Sequence, residues 1–176
     1  MQITVQYFEP KPFNWWIVIA IIGWLLFFIM LGLYFFPDLE EARAEEINLD
    51  IIAKIESNNN PLAVSYRGTK YGRGLYQISE IALLDYNNCH PASKMPTNAL
   101  FSPIEAQKVA EWYISRIKQI LQNKGISAEI NAILISWNWG VGNYIKWHKA
   151  GADYKRLPYE TQNYLKKFWK LYNNGH

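Results

Sequence analysis

Cysteine is nearly absent from this chain of 176 residues. Cys89 stands alone, which excludes an internal disulfide and a cysteine-based zinc site. Histidine is almost as scarce: His90, His148 and His176 show no HExxH-like spacing that would point to a catalytic zinc. Gly68 to Gly74 is glycine-rich and basic but lacks the G-x-x-x-x-G-K-[ST] pattern of a phosphate loop. These absences leave no metal or organic cofactor implied. Charge is sparse at 19%, while half the residues are apolar and 16% aromatic, a composition that excludes a disordered chain. There is no internal repeat.

What the chain does have is one long apolar run. Trp15 to Phe36 is free of charge. As a helix it spans about 33 Å, enough for a bilayer core of about 30 Å. Trp15, Trp16 and Tyr34 suit the two interfaces. The run is longer than the roughly 7–15 residues of a signal peptide's apolar core, so the expectation is an uncleaved membrane anchor at residues 15–36. A buried soluble helix is the plainer alternative. Ala42-Arg43-Ala44 resembles a cleavage site, which keeps export after cleavage near Ala44 open. Lys11 and the terminal amine precede the run and Arg43 follows it, a bias toward an N-terminus inside and the bulk outside.

The expected organisation is therefore a short N-terminal segment at 1–14, the anchor, an acidic juxtamembrane linker at 37–46, and one domain at 47–176. That domain holds 16 of the 18 Lys and Arg and 9 of the 15 Asp and Glu, a net charge of +7. Such a balance suggests an anionic partner: wall polymer, lipid headgroup or nucleic acid. Helical periodicity dominates the domain. Ile47, Ile51, Ile52 and Ile55 share a face. Ser102-Pro103-Ile104-Glu105 opens a helix with proline at its first position, running to about Lys124 with Val109, Tyr113, Ile117, Ile120 and Leu121 inward. Ser127 is the expected cap of a third helix bearing Ile130, Ile133, Leu134 and Trp137, and a fourth follows Pro158. A small hairpin is expected within Val64 to Tyr76, and a long connection over Asn87 to Ser102.

Glu56 ends the first of these helices, one turn after Ile52, on or beside the apolar face. Partial desolvation there raises a carboxyl pKa and suits it to give up a proton near neutrality. Position alone favours an ordinary surface glutamate. The surrounding residues change that balance. Glu56-Ser57, Asn60-Pro61, Ala63 and Ser65 lead to Gly74-Leu75-Tyr76-Gln77-Ile78. This resembles the lytic transglycosylases of the soluble-lytic-transglycosylase type (SLT, glycoside hydrolase family 23), lysozyme-like enzymes of peptidoglycan, with their E-S-x-x-N-P-x-A and G-L-M-Q-I motifs. Three later segments agree in order. Ser102-Pro103 with Ala110, Tyr113 and Ile114 resembles D-P-x-x-N-I-x-x-G-x-x-Y-L. Trp137-Asn138-Trp139-Gly140-Val141-Gly142 resembles Y-N-A-G-x-G. Pro158-Tyr159-Glu160-Thr161 with Tyr164 resembles P-Y-E-T-R-x-Y-V. Tyr76 stands where the family has Met, and Ser102, Ala106, Ala110 and Trp139 also depart from it. The resemblance covers about residues 47–172.

The resemblance implies a mainly α, lysozyme-like fold and a non-hydrolytic cleavage of the MurNAc-β-1,4-GlcNAc bond. Glu56 would act first as acid on the glycosidic oxygen, then as base on the 6-hydroxyl, giving a 1,6-anhydro product. The substrate itself then supplies the nucleophile, whereas most glycosidases use two carboxylates. It also implies that Ser65, Tyr76, Gln77, Asn138 and Tyr164 bind or frame the substrate. Each has a plainer role: a turn cap for Ser65 and Asn138, packing for Tyr76 and Tyr164. The implied setting is a single-pass protein of the inner membrane with its domain in the periplasm. It would open the wall locally for a secretion or conjugation assembly, or for phage entry, in which case a virion location is the alternative. Three other readings stay open: a hydrolytic muramidase, a non-catalytic wall-binding scaffold, and a nucleic-acid binder that rests on charge alone and lacks a recognition motif. No nucleic-acid partner is expected.

Overall fold

The computed structural model describes residues 15–35, 47–67 and 70–175, and these fall into two units divided at Glu46 and Ile47. The expected N-terminal segment 1–14, Phe36 and the acidic linker 37–46, including the Ala42–Ala44 site, lie outside the described residues. In the first unit, helix α1 is Trp15–Phe35, 21 residues without a charge. From Ile21 to Phe28 its large apolar side chains are each more than half exposed. Consecutive positions point in every direction around a helix, so this exposure is not confined to one stripe. Among the described residues no helix is long and apolar enough to cross a membrane; part of the side chains of α1 lie outside them.

The second unit is mainly helical. Helix α2 (Leu49–Ser57) starts at Asn48, whose side-chain oxygen accepts from the amides of Asp50 and Ile51 at 2.9 and 3.4 Å. It ends at Asn58 in the left-handed conformation, φ +55°. Asparagine tolerates that geometry better than most residues. The expected hairpin is present. β1 (Val64–Arg67) pairs antiparallel with β2 (Lys70–Arg73), Ser65 opposite Gly72 and Tyr66 opposite Tyr71. A short β3 (Ile78–Ser79) adds to β2.

Helix α3 (Glu80–Cys89) follows at once, capped by the Ser79 hydroxyl, which accepts from the Ala82 amide at 3.2 Å. It occupies the start of what reads in sequence as a long connection. The remainder of that connection forms 3-10 turns at Pro91–Ser93 and Thr97–Phe101. Helix α4 (Pro103–Gln122) begins as expected, with proline in its first turn. Ser102 makes no side-chain capping bond there, and Glu105 instead meets Lys108 at 2.8 Å. Helix α5 (Ile130–Trp139) starts after Glu129, not at Ser127. A sharp bend at Gly140, φ +99°, leads into α6 (Val141–Lys149), which sequence reading did not separate from α5. Helix α7 (Tyr159–Asn174) closes the chain.

The core forms where α2 packs on α7, α5 on α6 and α7, and α4 on α3, α5 and α6. Ile52, Val109, Ile117, Leu121, Leu134 and Phe168 are fully buried, each stabilising by about 1.5–3 kcal/mol. Tyr113 and Ile120, expected inward on α4, are only half-buried.

Candidate functional site

A cleft of about 590 Å³ opens between the sheet and the helices. Glu56, at the last turn of α2, is half-buried on its lining. The indole of Trp137, on α5, donates from Nε1 to Glu56 Oε1 at 3.0 Å. Edge-to-face packing of Tyr113 on Trp137, centroids 5.6 Å apart, fixes the indole from behind. Burial, and then the charge of Asp85, push the Tyr113 phenol above its ordinary range, so it stays neutral and able to donate. The pairing of Trp137 with Glu56 escaped sequence reading, which put Trp137 in the core. The two residues are 81 positions apart, and no local spacing links them.

Around Glu56 the backbone is braced. The Ser57 hydroxyl lies 2.8 Å from the Leu75 carbonyl and 3.1 Å from that of Ala53, and accepts from the Asn60 amide at 3.1 Å. This ties the end of α2 to the Gly74–Gln77 turn. Gly74 has φ +73°, and a Cβ there would sit 1.9 Å from the Leu100 carbonyl oxygen. Only glycine fits. Gln77 also has positive φ, +49°. Its amide nitrogen donates to the carbonyls of Gly74 at 2.9 Å and Ala63 at 3.1 Å. Its amide oxygen accepts from the Ser65 hydroxyl. Side chain thereby holds a backbone conformation that Gln rarely adopts.

Of the residues singled out in sequence, Glu56, Ser65, Gln77 and Asn138 are brought together on this cleft. Ser65 and Gln77 face each other, so each orients the other. Asn138 lines the opposite side, its oxygen accepting from the buried Thr161 hydroxyl at 2.9 Å, which joins α5 to α7. Tyr76 does not join them. It is 3% exposed within the core, and burial, then the charges of Asp50 and Glu111, raise its phenol pKa. No ring face is open there for a sugar, so packing is its role. Tyr164 is likewise buried, on the helix that packs against α2, and is not on the cleft lining. Trp139 and Gly140 to Gly142 form one rim, Tyr71 and Gly72 another. A second carboxylate, Asp85 on α3, also lines the cleft, with Arg116 Nε 3.7 Å away. Among the described residues no three His, Cys, Asp or Glu side chains converge as a metal site would require.

The model of the transglycosylase SLT domain matches residues 35–159. The chain belongs to this family. The match takes in Glu56, the hairpin, the Gly74–Ile78 turn and the Trp137–Gly142 bend, and stops at the first residue of α7, before Tyr164. No curated protein and no solved structure matches the chain. SLT domains are lysozyme-like and are the domains of lytic transglycosylases, which cleave peptidoglycan. The mainly helical domain with its cleft is of that type.

Proposed function

We propose that this SLT protein is a membrane-anchored lytic transglycosylase with Glu56 as its single acid and base. The observation that carries the reading is Glu56 itself: half-buried on a substrate-sized cleft, with an indole N–H on one carboxylate oxygen. In the first step the protonated carboxyl gives its proton to the glycosidic oxygen as the bond to MurNAc C1 breaks. In the second the carboxylate takes the proton of the MurNAc 6-hydroxyl as that oxygen attacks C1, closing the 1,6-anhydro ring. The proton returns to Glu56, so the cycle balances without water. Trp137 holds one carboxylate oxygen in place through both steps, and the braced end of α2 keeps the group where the bond must lie. Asn138, its oxygen engaged by Thr161, offers its amide N–H groups to the sugar. Ser65 and Gln77 set the floor beneath it.

The all-round exposure of apolar side chains on α1 supports an anchor in lipid, because a soluble helix buries such a surface. The site then belongs on the periplasmic side of the inner membrane, at a place where the wall is opened locally. Asp85 favours one second reading, a muramidase in which a second carboxylate directs water. The full-length protein in detergent micelles, wild type and Glu56→Gln, incubated with sacculi separates them. Anhydro-ended products from wild type and none from the variant are the expected result. Products heavier by one water establish the muramidase, and undiminished cleavage by the variant removes Glu56 from the mechanism.

A further inference from the structure

One stretch of the cleft has a chemistry unlike the rest. Ile81, Leu84 and Asp85 all line it from α3. Their spacing of three and four residues puts them on one face of the helix. Ile81 is 62% exposed and Leu84 60%, so this face is not used by the core. Ile120 of α4 extends the same wall. Asp85 lies within it, its side chain 42% exposed. Arg116 Nε is 3.7 Å from its carboxylate, beyond hydrogen-bond distance. The carboxylate therefore keeps acceptor capacity for a ligand.

A glycan strand does not account for this wall. Sugar rings are hydroxyl-rich, and their small C–H faces are matched by flat aromatic rings, which branched aliphatic side chains do not provide. An uncompensated carboxylate also gives no preference for a neutral N-acetylated sugar. The wall instead matches a short peptide that carries methyl groups and an amine. The substrate class proposed above contains such a group on alternate sugars: a stem of alanine, glutamate and a diamino acid.

We infer that Ile81, Leu84 and Asp85, with Ile120, form a subsite for the peptide stem of peptidoglycan, the aliphatic side chains taking an alanyl methyl and Asp85 the diamino acid's ammonium group. This rests on the transglycosylase reading and deepens it: the enzyme selects peptide-bearing strands over bare glycan. The full-length protein in detergent is assayed on intact sacculi and on the same sacculi after an amidase has stripped the peptides. Leu84→Asn and Asp85→Asn are each expected to lower the rate on intact sacculi about tenfold more than on stripped strands, the scale of one lost apolar or charged contact in a specificity pocket. Because these side chains stand outside the core, thermal unfolding of the variants should match wild type. Equal losses on both substrates, or none on either, overturn the subsite. An effect of Asp85→Asn alone, equal on both and joined to reducing-end products, assigns Asp85 to hydrolysis instead. Wild type that cleaves neither substrate removes the transglycosylase reading and the subsite with it.

Discussion

Replacing Gly74 with alanine tests how tightly the turn beneath Glu56 is built. The new Cβ would lie 1.9 Å from the Leu100 carbonyl oxygen and 2.9 Å from its carbon. Real Cβ contacts stay beyond 3.0 Å, so one backbone must retreat by more than an ångström. Leu100 is fully buried and has no room to yield. Two costs add: about 1–2 kcal/mol for an L-residue at φ +73°, and about 1–3 kcal/mol for forcing the packed backbone apart. The sum, about 2–5 kcal/mol, is a large part of the roughly 5–15 kcal/mol that holds a domain folded. For a domain of this size it lowers Tm by about 8–20 °C. Gly125→Ala is the control. Gly125 has a similar φ of +68° but nothing within 4 Å of its would-be Cβ, so it carries only the conformational cost. Thermal melts of both variants by far-ultraviolet circular dichroism give the comparison. If Gly74→Ala melts within 2–3 °C of Gly125→Ala, the close approach to Leu100 is wrong, and with it the account of why the turn is fixed.

Two further outcomes follow from the site. Trp137→Phe keeps a ring against Tyr113 but removes the donor to Glu56; kcat should fall about tenfold or more, in line with a charge-assisted hydrogen bond, while Tm moves little, and an unchanged kcat would show that the indole N–H does not serve the reaction. In alkali, the phenols of Tyr76, Tyr113 and Tyr144 are each raised, chiefly by burial. Their folded pKa values exceed the ordinary value of 10.0, so the folded state binds more protons there and stability is full below pH 10 and lost as pH rises above it. Tyrosinate absorbance should show a late-titrating class that disappears on denaturation, and a single class at the ordinary value would contradict the burial of these rings.

The sequence made some elements plain and left others hidden, for physical reasons. Helices α2, α4 and α7 have strong one-sided apolar patterns and, for α4 and α7, a proline at the start, so they were legible. Helix α3 was not. Its buried Ala82, Leu83 and Tyr86 share the helix with exposed Ile81 and Leu84, and apolar residues on both faces erase the period that marks a helix. Helix α6 escaped because a single glycine separates it from α5, without a loop to announce a new element. Glu56, Ser65, Gln77 and Asn138 could be placed on a site from motif order, since motifs fix identity. Tyr76 could not be placed rightly, because its place in the motif says nothing about which way a side chain turns. The bond from Trp137 and the arrival of Asp85 on the same cleft depend on long-range packing that spacing does not encode.

The exposed wall of α3 has a consequence for how such an enzyme can change. Gly74, Gln77 and Ser57 sit in a bracket where the loss of one contact strains the next, so substitutions there bear on the whole domain. Ile81 and Leu84 stand outside that bracket, with most of their surface in solvent. Substitutions at these positions are free of folding penalty, and they alter only what the cleft accepts. Selectivity can therefore drift, or be redesigned, along one helix face while the machinery around Glu56 stays fixed, and a single scaffold can be fitted to walls of different peptide chemistry without being refolded.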